Sequence, residues 1–223
     1  MMLAISPVAA NPLGTTPARK PRQHHGANPK VLTKILHDDA NLAVWQRQLP
    51  LHINDFARLL LSLNEPLAES LVLEIPSEDA EPNLRGLASG FSDLEGYESF
   101  IADVSWLVSA FACLLGAKRV GLRLRALDQA MCPRFHVDHV PVRLITTYAG
   151  VGSEWLKEGA IDRRQLGNPH AEPQAPIQHI NSGDVALLKG EKWHGNEGFG
   201  LIHRSPQLAP GQRRLILTLD WLS

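Results

Sequence analysis

Cysteine, aromatic side chains and net charge are all scarce in this chain. Two cysteines, Cys113 and Cys132, are too few for a disulfide scaffold, and Cys113 falls in an apolar helical stretch where a small thiol packs as a hydrophobe. Lys and Arg number 22 against 23 Asp and Glu, and the formal net charge of −1 supplies no global pull toward nucleic acid or an anionic membrane. The first ten residues lack a basic region and are interrupted by Pro7, which argues against a secretory signal. No uninterrupted apolar run reads as a membrane span. These absences lead to the expectation of a cytoplasmic protein with no nucleic-acid or membrane partner, whose function resides in a local site.

Against those shortages stand ten histidines, the compositional oddity of the chain. With 223 residues, one sizeable core is possible, burying about 70 % of the unfolded surface. Residues 1–30 hold five prolines, four basic residues, His24 and His25, and no acid, which predicts a disordered basic leader. A single domain then runs over 31–223, with a helical part at 31–117. Within it, 41–49 reads as a helix stopped by Pro50, and Asn54 reads as the N-cap of a helix over 55–63. Residues 98–115 show apolar positions at helical spacing, and Gly116 supplies the stop.

After residue 118 the apolar period changes from 3.6 to 2. Eight strands are predicted, at 120–127, 134–140, 142–148, 154–157, 178–181, 184–189, 200–204 and 213–221, separated by Gly, Pro and Asn signals. Eight short strands with turn chemistry between them suit a double-stranded β-helix, a cupin-like jelly roll, over 118–223. With the helices packed outside it, the fold class is α+β.

The stretch richest in chemistry is Cys132-Pro133-Arg134-Phe135-His136-Val137-Asp138-His139. Side chains two apart on a strand share a face, so His136 and Asp138 form a ready pair of ligands. One further histidine completes two imidazoles and a carboxylate on one side of a metal, leaving three positions open, which suits non-haem Fe(II). Either His203 or His194 can supply it. Arg213 opens the last predicted strand ten residues beyond His203. Its neighbour Arg214 points the opposite way, and Arg143 and Arg204 are further candidates for binding a carboxylate.

The order H-x-D, Arg143 with Thr146, a G-x-G turn at Gly150 and Gly152, His203-Arg204 with Pro206, and Arg213 resembles the iron- and 2-oxoglutarate-dependent dioxygenases, in particular the prolyl-hydroxylase-like branch. The fuller string, C-P-x-F-H-x-D running into R-L-x-x-T-Y-x-G-x-G and ending in H-R-S-P, is similar to a bacterial domain-of-unknown-function family that names no activity. The wider resemblance implies Fe(II) on His136, Asp138 and His203, and 2-oxoglutarate as a small-molecule co-substrate held by Arg213. Hydroxylation or demethylation would follow, with Tyr148, Trp155 and Trp193 lining the substrate side.

A different ligand set is present in the same stretch. If a bulge turned His139 inward, Cys132, His136, His139 and His194 would make a zinc site, and the chain would be a non-enzymatic, cupin-like metal-homeostasis or sensing protein.

Overall fold

A computed structural model describes residues 20–77 and 80–222. Within them, ten strands are arranged in two sheets. The larger contains β1 (Arg22–Gly26), β2 (Ala40–Trp45), β3 (Ala68–Glu74), β4 (Arg119–Leu127), β5 (Val142–Ala149), β8 (Val185–Lys189) and β10 (Arg214–Leu222), in the order β1-β2-β8-β5-β10-β4-β3. The smaller is β7 (Gln178–His179), β6 (Glu154–Leu156) and β9 (Ile202–Arg204), in the order β7-β6-β9. Two helices, α1 (Leu51–Ser62) and α2 (Tyr97–Leu115), complete a mixed α+β fold.

The central strands are buried on both faces, and their alternation builds two cores. On β10, Leu215, Leu217 and Leu219 pack with Phe56, Leu60, Phe100, Leu107 and Phe111 of the helices. Ile216, of the opposite parity, packs with Leu42, Val44, Ile145, Trp155, Ile180, Ala186, Leu188 and Leu201 between the two sheets. Each such aliphatic side chain withdrawn from water stabilises the fold by about 1.5–3 kcal/mol. By the same alternation Arg214, Thr218 and Asp220 share the inter-sheet side with Ile216.

Strands β4, β5, β6, β8, β9 and β10 lie where the alternation of the sequence puts them, and α2 closes at Gly116, whose φ of 63° suits a left-handed helix stop. Four expectations are corrected. Residues 41–49 are not helical: Ala40–Trp45 is β2, because a short run that is apolar at every position has no period of its own, and pairing with β8 decides its state. The helical part thus carries strands, β3 among them. The leader reading fails from Arg22 onward, since Arg22–Gly26 pairs in parallel with β2, followed by a 3-10 helix over Pro29–Leu36; residues 1–19 lie outside the described residues. Helix α1 starts at Leu51, directly after Pro50, rather than from an Asn54 cap; the fixed φ of Pro50, −52°, suits a helix entry and its carbonyl accepts from the Asn54 amide. The strand over 134–140 reduces to one bridge between His136 and His203, and the Asp138 and Val140 carbonyls accept instead from the amides of Glu191 and Lys192.

By length and composition alone α2 is long and apolar enough to cross a membrane, with a mean hydropathy of 1.5, although Glu98 and Asp103 interrupt its apolar run. In this fold one face of it is buried on the sheet through Phe100, Val104, Leu107, Val108 and Phe111. Asp103 on that helix forms a bidentate ion pair with Arg47, at 2.7 and 2.9 Å, and accepts from the Tyr148 hydroxyl at 2.7 Å.

Candidate metal centre

His136 and His203 face each other across the one bridge that ties the 131–141 segment to β9. The two backbones exchange both hydrogen bonds, at 3.0 Å each. Directly opposed residues of an antiparallel pair project to one side, and the two imidazole rings lie 4.5 Å apart. Asp138, two residues beyond His136, turns to the same side. Its oxygens lie 3.8 Å from His136 Nε2 and 3.4 Å from His203 Nε2. Gly190 fixes the far end of this segment, because a Cβ there would collide with the carbonyls of Asp138 and Val140.

The protonation pattern follows from the contacts. His136 Nδ1 lies 2.9 Å from the Arg134 carbonyl and His203 Nδ1 lies 3.0 Å from the Leu201 carbonyl. A carbonyl only accepts, so each Nδ1 carries a proton and Nε2 is the ring nitrogen that faces the cluster, the one a metal would take. Burial, with the field of His203, pushes the His136 pKa down and keeps the ring neutral. Burial alone would raise the Asp138 carboxyl, but His203, Arg143 and His136 outweigh it and hold it far below the usual carboxylate range. Asp138 Oδ1 accepts from Arg143 Nη1 at 2.7 Å, while Oδ2 is buried with no partner. Three ligand atoms within 4.8 Å of one another, one of them an orphaned carboxylate oxygen, fit a divalent cation.

A family model described as "Protein of unknown function (DUF1826)" matches residues 26–220. The chain belongs to that family. No curated protein matches it. Among solved structures it is similar to the rice dioxygenase for auxin oxidation, at 14 % identity over 92 % of this chain and 83 % of that one, with a TM-score of 0.45. A prolyl-4-hydroxylase of Pseudomonas putida matches at 14 % identity, over 86 % and 96 % of the two chains, with a TM-score of 0.43. The dioxygenase for auxin oxidation of Arabidopsis thaliana, in a binary complex with 2-oxoglutarate, matches at 12 %, over 79 % and 73 %, with a TM-score of 0.43. Likeness at this level transfers no activity.

In this DUF1826 chain the remaining candidates separate clearly. Of the two possible third histidines, His203 joins the cluster, whereas His194 is exposed beside Pro141 and Trp221. Cys132 and His139 are also exposed and outside the cluster, so the zinc set is not assembled. Arg143 clamps Asp138 and Asp220, and Arg204 binds Glu154 at 2.6 Å and stacks on Phe135. Arg213 points to α1 and donates to the carbonyls of Leu61 and Glu65 at 2.9 and 3.0 Å.

Arg214 is the arginine that faces the space between the sheets. It is fully buried, and Nη2 donates to Thr147 Oγ1 at 3.1 Å and Ser153 Oγ at 3.0 Å, while Nε and Nη1 have no partner. Burial pushes its pKa down to about 10. The G-x-G turn makes room for it: Gly150 has a φ of 87°, and a Cβ there would strike the Arg213 carbonyl and the Arg214 backbone. Sequence reasoning missed Thr147 and Ser153, although both lie within three residues of that turn.

Of the predicted lining residues, Trp155 alone faces the inter-sheet side, paired with His203 across β6 and β9, with its buried Nε1 unpartnered. Tyr148 and Trp193 are corrected. Tyr148 belongs to the helix-side core and binds Asp103, because its parity on β5 is opposite to that of Thr147. Trp193 packs against that same core, over Lys189 and beside Trp221.

Proposed function

We propose that the chain is an Fe(II)- and 2-oxoglutarate-dependent oxygenase whose two sheets form a double-stranded β-helix. The observation that carries the reading is Arg214. A guanidinium sealed from water, with two unused donors and, among the described residues, no carboxylate paired with it, is costly to the fold unless an anion enters. Ser153, just before β6, and Trp155 within it stand two residues apart, a separation of about 7 Å along an extended chain. Ser153 contacts Arg214 and Trp155 pairs with His203, so that short stretch joins the cation to the metal cluster. A ligand carrying a carboxylate at one end and metal-binding oxygens at the other matches those two ends. The core of Leu42, Val44, Ile145, Trp155, Ile180 and Ile216 between the sheets supports the β-helix.

When bound, iron with the keto-acid and dioxygen supplies the oxidising power for hydroxylation or demethylation. The chain's own residues do the rest. His136, Asp138 and His203 would hold the cation on one side. Arg214, Thr147 and Ser153 would fix the distal carboxylate by charge-assisted hydrogen bonds. The Trp155 indole would exclude water between them and offer its Nε1–H to the co-substrate.

Anaerobic protein loaded with Fe(II) is expected to develop a visible metal-to-ligand charge-transfer band on addition of 2-oxoglutarate. Pyruvate, which lacks the distal carboxylate, should need at least tenfold higher concentration. An iron-loaded protein that shows no band with 2-oxoglutarate would overturn the reading.

A further inference from the structure

Asp138 lies on a segment with no strand of its own; the His136 bridge and the backbone hydrogen bonds from Glu191 and Lys192 hold its main chain and leave the angle of its carboxylate to side-chain contacts. That angle is set from the larger sheet. Arg143 on β5 and Asp220 on β10 are register partners, and side chains of partners project to the same face. Arg143 holds Asp220 in a fork, Nε to Oδ1 at 2.6 Å and Nη2 to Oδ2 at 3.0 Å, and its remaining nitrogen, Nη1, reaches Asp138 Oδ1 at 2.7 Å. Arg123 on β4 donates to the same Asp220 Oδ2 at 2.5 Å. Asp220 is 3 % exposed and sits in the middle of three paired strands, so the guanidinium is anchored on a rigid base.

We propose that Arg143 is a positioning residue that confines Asp138 to one metal-ligating oxygen, and that Asp220 holds Arg143 in place for that purpose. The proposal rests on the metal-centre reading above. A carboxylate can grip a cation through one oxygen or both. With Oδ1 already drawn to Arg143 by a short charge-assisted hydrogen bond it is the poorer ligand, and the orphaned Oδ2 is the oxygen left to grip the cation. Two imidazoles and one oxygen leave three of six octahedral positions open; a second carboxylate oxygen would close one of them. A keto-acid that chelates takes two, so the third exists for dioxygen only while Asp138 binds through one oxygen. Asp220 also neutralises Arg143, so the clamp orients Asp138 without leaving an uncompensated cation beside the metal.

The test counts water on the metal. Metal-free full-length protein is titrated with Mn(II) alone, and water-proton relaxation reports the number of waters on each bound ion. The wild-type chain is expected to retain about three, the number of open octahedral positions. In Arg143→Met the freed Oδ1 should displace one, so relaxivity per bound ion falls by about a third while the affinity for Mn(II) holds or rises. Since Arg143→Met leaves buried Asp220 with Arg123 but without its fork, the double variant Arg143→Met/Asp220→Asn removes that half-compensated charge and is expected to give the same count. An unchanged water count in both variants, or weaker binding with the count unchanged, overturns the proposal and leaves Arg143 a plain structural tie. Failure of the wild-type chain to bind Mn(II) would instead overturn the metal-centre reading, and this one with it.

Discussion

At the scale of single residues, folding works against Arg214 and a ligand would work for it. The side chain is fully buried, its hydrogen bonds go to two hydroxyls, and burial pushes its pKa from 12.5 down to about 10. At neutral pH the guanidinium is charged in folded and unfolded states alike, so the whole cost of burying it is present there and is relieved only as pH rises through about 10. That cost is about 3 kcal/mol at 1.36 kcal/mol per pKa unit. Replacing it with an apolar side chain of similar length removes the cost and forfeits the two hydrogen bonds. Arg214→Met is therefore expected to raise the melting temperature of the ligand-free protein by about 4 °C, from a net gain of about 1–2 kcal/mol. The same variant should lose the further rise that 2-oxoglutarate gives the wild-type chain. Thermal melts with and without the keto-acid check both; a variant that melts lower yet keeps the ligand-induced rise would contradict the role assigned to Arg214.

At the scale of elements, one ion pair ties the longest helix to the sheet. Asp103 of α2 meets Arg47, just after β2, in a pair only 13 % and 8 % exposed, and the buried Tyr148 hydroxyl of β5 donates to the same carboxylate. Removing one partner of a buried pair leaves the other charge uncompensated, so Asp103→Ala should cost about 3–5 kcal/mol in urea unfolding. The double variant Arg47→Met/Asp103→Leu should recover much of it, and additive losses would show that the pair does not act as a unit. Helix α2 itself was legible in the sequence, because its apolar spacing is helical and Gly116 ends it. So was the pairing of His136 with Asp138, since two-residue spacing puts side chains on one side even where only a bridge forms. Strand β2 was not, since Leu42-Ala43-Val44 is apolar throughout and carries no period. The choice between Arg213 and Arg214 was half legible. Alternation shows that they oppose each other; which one turns inward depends on the register of β10 against β5, where Ile216 meets Thr147 after a shift in pairing, and that register is a property of two strands together.

At the scale of the whole molecule, several titrating groups bias the fold the same way as pH falls. Burial pushes His24, His25 and His136 below the ordinary histidine value of 6.5. The unfolded chain therefore takes up these protons first, and stability drops as pH falls through 6.5. For His136 alone the slope reaches at most about 1.4 kcal/mol per pH unit, between the unfolded and folded values. Asp138 acts lower down. Held far beneath the usual 3.8, it contributes stability that is complete above that value and is lost as pH falls through it toward the folded-state value. Asp184 opposes this, because burial raises its carboxyl so that the folded state binds its proton first, but only within the carboxylate range. A metal ion would steepen the histidine step, since it binds only the neutral imidazole of His136 and adds its own binding free energy to the folded state. Melting temperature should accordingly fall in two stages on acidification, the first beginning near pH 6.5 and steeper when Mn(II) is present. His136→Gln should flatten that first stage and remove its dependence on Mn(II). A first stage of equal slope with and without the ion in the wild-type chain would mean that His136 does not ligate it.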